Sequence, residues 1–579
     1  MINLDSQQQA AVFTSSKKAL VLAGAGSGKT RVVVERIRHL LKDKKVSPYE
    51  ILALTFTRKA AEELRTRIDT PYITIGTIHA IALNLLHRFG DLVGMKARNI
   101  TVYGGFEEEF LIKEIAIDLG IFKGKTWKFP KKEILSMLNT YYAKGEEPKE
   151  DHPGYVLFKE LMTRCRENNS MTYGMLLTAM MELVPKIKQY LKWKYVFLDE
   201  AQDTDPLQWW IVEEFPKLLG ASLFAVGDID QSIYKFRGAV PEYLVSQQDQ
   251  FDIYRLENNY RSVPEIVEAS NRLIEHNTER IPKTMRATRG SGVMEAIEIV
   301  PNADCLTIAN LVGSFSDCDY GHIVVLSRIH KLLEKLSEEL TNLGIPHVKI
   351  GRKTALVESE PFRRFHALLK LLVNPYDNFS FLLIRDLIGV PRETYNQIRL
   401  EATQLSKSHF QVWRNIDRDS IYCAFYDSID QWCFDEIIVN LCSSEFAWPF
   451  DIQPIKAFVL DWCQKDGRAV NDYLEWLATW DIQEELTEEK EDKVKLMTIH
   501  AAKGLEFPVV IVAGCNEGIL PSNHAINSGD VEEERRLFYV ACTRAKDNLI
   551  ITERPEETID QRGMVHKNPV SRFIKEMEA

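Results

Sequence analysis

ALVLAGAGSGKTRVVVERIRHLL, Ala19 to Leu41, decides how the chain begins to fold. It opens on an uncharged β-prone run, passes through a glycine-rich loop and ends in a helical pattern around Val32 to Leu41. Strand, glycine loop and helix in that order make the setting a phosphate-binding loop requires. Gly24, Gly26 and Gly28 would let backbone N–H groups converge on phosphate oxygens, with Ala23, Ala25 and Ser27 completing the loop. Lys29 would neutralise the β and γ phosphates of a nucleoside triphosphate, and the Thr30 hydroxyl would hold Mg²⁺. Ala23 stands where this pattern ordinarily begins with glycine, a tolerable change if that residue occupies ordinary backbone space.

Outward from this loop, ILALTF (Ile51 to Phe56), YVFLDEA (Tyr195 to Ala201) and LFAVGD (Leu223 to Asp228) read as buried strands ending in polar residues. A helix over Lys59 to Arg67 follows the first of them. Uncharged β-rich runs separated by helices predict an α/β fold, with a parallel sheet and its active groups at the carboxyl edge. Asp199 and Glu200 end one such strand. Adjacent carboxylates there are costly unless a cation compensates them. Mg²⁺ on Asp199 would do so, leaving Glu200 to orient and deprotonate an attacking water. Between His87 and Leu191 the strand–helix rhythm gives way to helical periodicity, which predicts an inserted helical domain. HIVVLSR near Ile323, VKLMTIH (Val494 to His500) and VVIVAG (Val509 to Gly514) form a second α/β set. From about Asn374 to Lys490 that set is interrupted by helical sequence carrying Trp413, Trp432, Trp448, Trp462, Trp476 and Trp480. The acidic run Glu484 to Asp492 reads as a solvated linker back into the second sheet.

At 579 residues the chain exceeds one hydrophobic core, so about three to four domains are expected. Hydrophobic residues at 45% and charged residues at 27% are ordinary for globular proteins. No apolar run reaches the ~18 residues of a membrane span, and MINLDSQQQA lacks the basic and apolar regions of a secretory signal. A cytoplasmic protein is expected. The nine cysteines are scattered without a CxxC pair, and free thiols in a reducing compartment are favoured over a metal cluster. The net charge of -11 argues mildly against nucleic acid, although only the local field along a groove decides.

DEAQDTDPLQ, VGDIDQSIYKFRGA, LENNYRS, VKLMTIHAAKGLEFPVVIVAG and EEERRLFYVACTRA closely resemble the ordered motifs of the UvrD/Rep/PcrA group of superfamily 1A DNA helicases. LTFTRKAAEELRTR before them and NPVSRFIKE after them extend the resemblance along the whole chain. It implies two RecA-like parallel-sheet P-loop domains, each with a mainly helical insertion. The first domain would be 1–86 with 187–258 and its insertion 87–186; the second would be 259–373 with 491–579 and its reduced insertion 374–490. The resemblance also implies roles. Gln8 would read the adenine edge, Tyr260 would stack on the base, Arg261 would reach the γ phosphate and Glu506 would touch the ribose. Gln231 would sense the γ phosphate, and Arg544 would arrive from the second sheet as an arginine finger. ATP and Mg²⁺ would then favour closure of a split site, and hydrolysis would release it. The expected activity is a motor moving 3′→5′ on single-stranded DNA and opening duplex in repair, replication or recombination. A translocase that strips proteins from single strands, or an ATP switch within a defence or repair complex, are the rival readings.

Such a motor needs base-stacking surfaces and phosphate contacts that ignore sequence. Phe56, Tyr234 and Phe236 match the family's stacking positions, with Arg237 beside them as a phosphate or base partner. Phe236 stands where the family usually has tryptophan, and the smaller ring should lose ~0.5–1 of the ~1–3 kcal/mol typical per base. Thr77 and His79 in TIHA, His500 in MTIHAAKG and Arg328 in VVLSRIH match DNA-proximal motifs. In IFKGKTWKFPKKE, Lys123, Lys125, Lys128, Lys131 and Lys132 interleave with Phe122, Trp127 and Phe129. This patch is read either as a DNA contact or as a solvated basic face with its aromatics turned inward. IGVPRETYNQI (Ile388 to Ile398) is the nearest counterpart of the family's duplex-gripping hairpin, from which it departs. The expected partners are single strands and their junctions with duplex; no nuclease motif is present, so a nuclease or replication or repair protein would act in trans.

Overall fold

A computed structural model describes residues 4–95, 100–124, 126–144, 146–235, 239–291, 295–315, 318–443, 445–465, 470–479, 492–555, 557–559 and 565–578. Its first sheet consists of β1 (Lys18–Ala23), β2 (Ile51–Thr55), β3 (Thr74–Thr77), β4 (Tyr195–Leu198), β5 (Ser222–Gly227) and β6 (Asp252–Leu256). They lie in the order β6-β1-β5-β4-β2-β3, every pair parallel. Alternate residues feed opposite layers: Leu20, Leu22, Leu52 and Leu54 face one core, and Ala19, Val21, Ile51 and Ala53 face another. With both faces covered, strands need apolar residues at every position, which is why they read as unbroken hydrophobic runs. The glycine loop follows β1 and leads into the helix Lys29–Lys42, whose Val33 and Ile37 cover the second of these faces.

Between β3 and β4 the chain forms the helices Ile78–Phe89, Gly105–Asp118, Lys131–Lys144, Tyr155–Glu167 and Tyr173–Ile187. The second sheet consists of β7 (Ile297–Val300), β8 (Ile323–Ser327), β9 (His347–Lys349), β10 (Val494–Thr498), β11 (Phe507–Ala513) and β12 (Ala545–Thr552). Its order is β7-β12-β11-β8-β10-β9, again wholly parallel. The α/β fold class is therefore as the strand pattern implied. Between β9 and β10 the described residues form helices from Arg352–Glu358 to Val470–Thr479. There Trp413 and Trp462 are buried, while Trp432, Trp448 and Trp476 pack at the margin of the core. Trp480 and 484–491 lie outside the described residues; Asp492 accepts a hydrogen bond from Gly321 N at 2.6 Å.

The two helical regions share an apolar core, with the Tyr103 and Phe379 ring centroids 4.7 Å apart. Around it Arg392 bridges Glu114 and Asp118, each at 2.8 Å, Arg385 pairs with Glu114 at 3.1 Å, and Arg399 pairs with Glu167 at 2.9 Å. IGVPRETYNQI supplies Arg392 to this junction within the protein. Among the described residues no helix is long and apolar enough to cross a membrane.

Candidate active site

Ala23 is the last residue of β1 and fully buried, in strand geometry that alanine adopts without strain. Gly26 and Gly28 take φ of 69° and 86°, where an L side chain is strained. Gly24 is needed for another reason: a Cβ there would collide with the Met285 thioether. The loop is tied from within and from outside. Ser27 Oγ donates to Gly24 O at 2.8 Å, Asn259 Nδ2 to Ala25 O at 2.8 Å, and Tyr260 N to Gly26 O at 3.0 Å. Lys29 and Thr30 occupy the first turn of the following helix, where backbone N–H groups have no intrahelical acceptor. The buried Gln8 amide donates to Ser27 O at 3.0 Å and accepts from Asp5 N at 3.3 Å, so it braces the loop; its second N–H would remain for a base.

β4 delivers Asp199 and Glu200 beside this loop. Glu200 has φ 53°, a conformation that a residue with a side chain holds only when its surroundings enforce it. Burial pushes the Asp199 carboxyl up to about 7, the Glu200 charge adds to that, and Lys29 opposes it. At Glu200 burial also acts upward, but Lys29, Lys503 and the Gln202 amide outweigh it and hold the carboxyl below its ordinary value. One carboxyl is thus kept ionised while its neighbour lacks sufficient positive charge. A divalent cation on Asp199 and the Thr30 hydroxyl fits that deficit, and one carboxylate plus substrate phosphates is a usual Mg²⁺ environment.

The second sheet supplies the opposite wall. Arg544 is 1% exposed and donates to Val540 O (3.0 Å), Leu505 O (3.2 Å), Gln231 Oε1 (3.2 Å) and Thr543 Oγ1 (3.2 Å). All four acceptors are neutral, and among the described residues no carboxylate forms an ion pair with it. Burial, with the like charge of Arg261, pushes its guanidinium down to about 9. Arg261 pairs with Glu506 at 2.8 Å and donates to Thr543 O at 2.9 Å; Glu506 also holds Lys546 at 2.7 Å. Tyr260 is 41% exposed, its hydroxyl bonded to Asp5. Lys503 crosses to the first sheet, donating to Asp203 Oδ2 at 2.6 Å and Gln231 O at 2.9 Å.

Residues 4–252 match the UvrD/REP helicase N-terminal domain, and residues 254–423 with 466–555 match the UvrD-like helicase C-terminal domain. The ATP-dependent DNA helicase PcrA of Staphylococcus epidermidis is 30% identical, over 99% of this chain and 86% of that protein. The chain belongs to the UvrD/Rep helicase family. PcrA of Leuconostoc citreum is 29% identical (99% and 84% covered), and PcrA of Bacillus subtilis 28% identical (99% and 85% covered). The two parallel sheets are the RecA-like pair of a UvrD-like helicase.

Of the residues expected along the nucleic-acid track, Phe56 and Tyr234 lie together, their rings stacked at 5.4 Å and 16°. Lys503 Nζ sits 4.6 Å from the Tyr234 ring centroid. Thr77 caps the helix Ile78–Phe89, its hydroxyl accepting from Ala80 N at 3.2 Å. Burial pushes His79 down to about 4, so the ring is neutral near pH 7, and its edge meets Tyr173 at 5.2 Å and 84°. His500 is half-buried in the turn after β10. Arg328 is bound by both Nε (3.2 Å) and Nη2 (3.1 Å) to Glu534 Oε1, an acidic residue of its own sheet region. Phe236 and Arg237 lie outside the described residues.

The basic patch forms a hairpin, Phe122–Lys123 paired with Thr126–Trp127. Phe122, Trp127 and Phe129 pack inward against the core, Lys123, Lys128 and Lys132 are exposed, and Lys131 pairs with Glu109. Lys125 lies outside the described residues. Nothing in the sequence singles out Tyr173, 44% exposed at the start of its helix, because an aromatic residue after a capping threonine carries no distinguishing pattern. Arg280 and Lys283 escape sequence reading because nothing in RIPKTMR marks them for burial, and Asn259 stands within LENNYRS without a legible role of its own. Gln202 and Asp203 stand within DEAQD and are legible there only as neighbours of the carboxylates.

Proposed function

We propose that this UvrD-like helicase is an ATP-driven motor that moves 3′→5′ on single-stranded DNA and separates duplex in repair, replication or recombination. The observation that carries this reading is Arg544: a buried guanidinium without an anionic partner among the described residues, hydrogen-bonded to Gln231 of the other sheet. A γ phosphate on the glycine loop would supply the missing anion, so binding would be stronger with the lobes together than apart, as a motor requires. The lobes in this reading are 1–86 with 187–258 and 259–373 with 491–579, carrying insertions 87–186 and 374–490.

Lys29 and the loop N–H groups bind the phosphates, Tyr260 and Gln8 flank the base, and Glu506 lies toward the ribose. Thr30 and Asp199 would hold Mg²⁺, which would offset charge on the phosphates. Glu200, kept ionised beside Lys29, accepts the proton of the attacking water, and Arg544 with Arg261 stabilises charge as the terminal phosphate departs. Loss of that phosphate returns Arg544 to neutral acceptors and weakens closure. Phe56, Tyr234 and Tyr173 offer base-stacking faces, and movement of Lys503, bonded to Gln231 O and 4.6 Å from the Tyr234 ring centroid, would reach that ring. The 3′→5′ direction follows from family resemblance. Duplexes bearing a 3′ or a 5′ single-stranded tail test this together: ATP turnover should rise with single-stranded DNA, and strand separation should require the 3′ tail. Turnover indifferent to DNA, or unwinding from the 5′ tail alone, would defeat it.

A further inference from the structure

Between Glu200 and Arg544 runs an unbroken series of hydrogen bonds, most of it through residues with no assigned role. Gln202 Nε2 donates to Glu200 Oε2 at 2.6 Å, and Gln202 Oε1 accepts from Asp228 N at 2.9 Å. Asp228 Oδ2 accepts from Gln231 Nε2 at 2.5 Å, and Gln231 Oε1 accepts from Arg544 Nη2 at 3.2 Å. Gln202, Asp228, Gln231 and Arg544 are all buried. The middle of the series is anchored. Lys283, itself buried, donates to Asp228 Oδ1 at 2.6 Å and to Asp230, and Arg280 grips Asp230 through Nε (3.1 Å) and Nη2 (2.8 Å). Gly227 shows how closely Gln202 passes: a Cβ at that position would lie 2.7 Å from Gln202 Oε1.

We infer that Gln202 is a positioning residue that holds Glu200 on a fixed post made by Asp228 and Lys283, so that the Glu200 carboxylate keeps its orientation whichever way Gln231 and Arg544 turn. An amide is the one side chain that serves here. Its N–H₂ must donate to a carboxylate while its oxygen accepts a backbone N–H, and no carboxylate or hydroxyl of similar length does both in that geometry. Hydrogen-bonded supports of reacting groups commonly matter at this distance from the chemistry, because they fix orientation. When Gln231 and Arg544 turn toward a γ phosphate, Asp228 loses one partner and keeps Lys283. The post therefore stays in place while the Arg544 end of the chain opens.

The inference rests on the assignment of Glu200 as general base, and the test separates the two. In the full-length protein, Gln202→Met removes the amide's bonds to Glu200, to Asp228 N and to Asp203 at nearly constant volume, and Gln202→Glu keeps the acceptor while removing the donor. Each should lower DNA-stimulated kcat about 10- to 100-fold with the ATP KM unchanged. In the Glu200→Gln background, Gln202→Met should bring no further loss in the single-turnover rate, since the group it positions no longer takes the proton. If Gln202→Met does not fold, Gln202→Glu carries the same comparison. A kcat near normal, a KM rise that accounts for the loss, or a loss that adds fully to that of Glu200→Gln would overturn the positioning role. Normal hydrolysis by Glu200→Gln would instead overturn the base assignment.

Discussion

Arg544→Met should leave the nucleotide-free protein about as stable as its parent while disabling it. The guanidinium is held at about 9, well below the ordinary arginine range, by burial and by Arg261. That difference corresponds to roughly 5 kcal/mol against the charged form in the folded state. A cation with a depressed folded value opposes folding fully below about 9, and the penalty fades as pH rises through 9 toward the ordinary arginine range. Methionine keeps much of the volume and removes the charge. It also gives up four hydrogen bonds to neutral oxygens, although Val540 O retains Thr543 Oγ1 at 3.1 Å. At about 1.5 kcal/mol for each of the three remaining bonds, the low end for a charged donor, the loss nearly cancels the relief of charge. The unfolding temperature near pH 7 should therefore stay within roughly 4 °C of the parent's. Turnover should fall about 10³- to 10⁵-fold if Arg544 acts as the arginine finger. Scanning calorimetry, with and without a non-hydrolysable ATP analogue, and steady-state hydrolysis on single-stranded DNA measure both. A variant melting about 10 °C or more below the parent without nucleotide, or hydrolysing within about tenfold of it, would refute the reasoning that this charge awaits a phosphate.

Glu200→Gln should bind ATP with little change and fail to hydrolyse it, trapping a DNA-bound closed form that filter binding detects; normal release of phosphate would contradict the role. Tyr234→Ala and Tyr173→Ala should each weaken single-strand binding by ~1–3 kcal/mol, about 5- to 150-fold in Kd, as read by fluorescence anisotropy. An unchanged Kd in either variant would remove that ring from the track. Replacing Lys123, Lys128 and Lys132 together by alanine should flatten the salt dependence of binding to tailed duplex, at about 0.9 in the log–log slope for each phosphate no longer neutralised. An unaltered slope would leave the hairpin as a solvated basic face.

The glycine loop, its flanking strand and helix, and the carboxylates after β4 are legible in the sequence because each is a local pattern whose chemistry needs neighbours along the chain. The second wall is legible through its motifs, whereas its anchoring is not. Lys283 meets Asp228 and Asp230 across more than fifty positions, and nothing in RIPKTMR marks a lysine destined for burial. Arg328 shows something else the sequence does not display. Its motif suggests proximity to nucleic acid, and in the structure it also pairs with Glu534, since a buried carboxylate needs a cation and this one is at hand. The hairpin lysines fall between these cases. Alternation in IFKGKTWKFPKKE separates inward aromatics from outward lysines, which leaves both readings of the lysines standing.

The glycines of the loop carry two demands at once. Gly26 and Gly28 answer to backbone conformation, but Gly24 lies under Met285, and a side chain at Gly26 would also meet Arg261 Cβ and the Asn259 amide. Asn259 donates to Ala25 O while its oxygen accepts from Arg261 N and Ser262 N, all at 2.8 Å. The same amide therefore fixes the phosphate loop and the arginine expected to face it. Any rotation of the second lobe that carries Arg261 must either preserve this contact or draw Ala25 with it. Loss of activity on replacing Gly24 thus cannot be credited to phosphate binding alone, because the substitution also pushes on Met285.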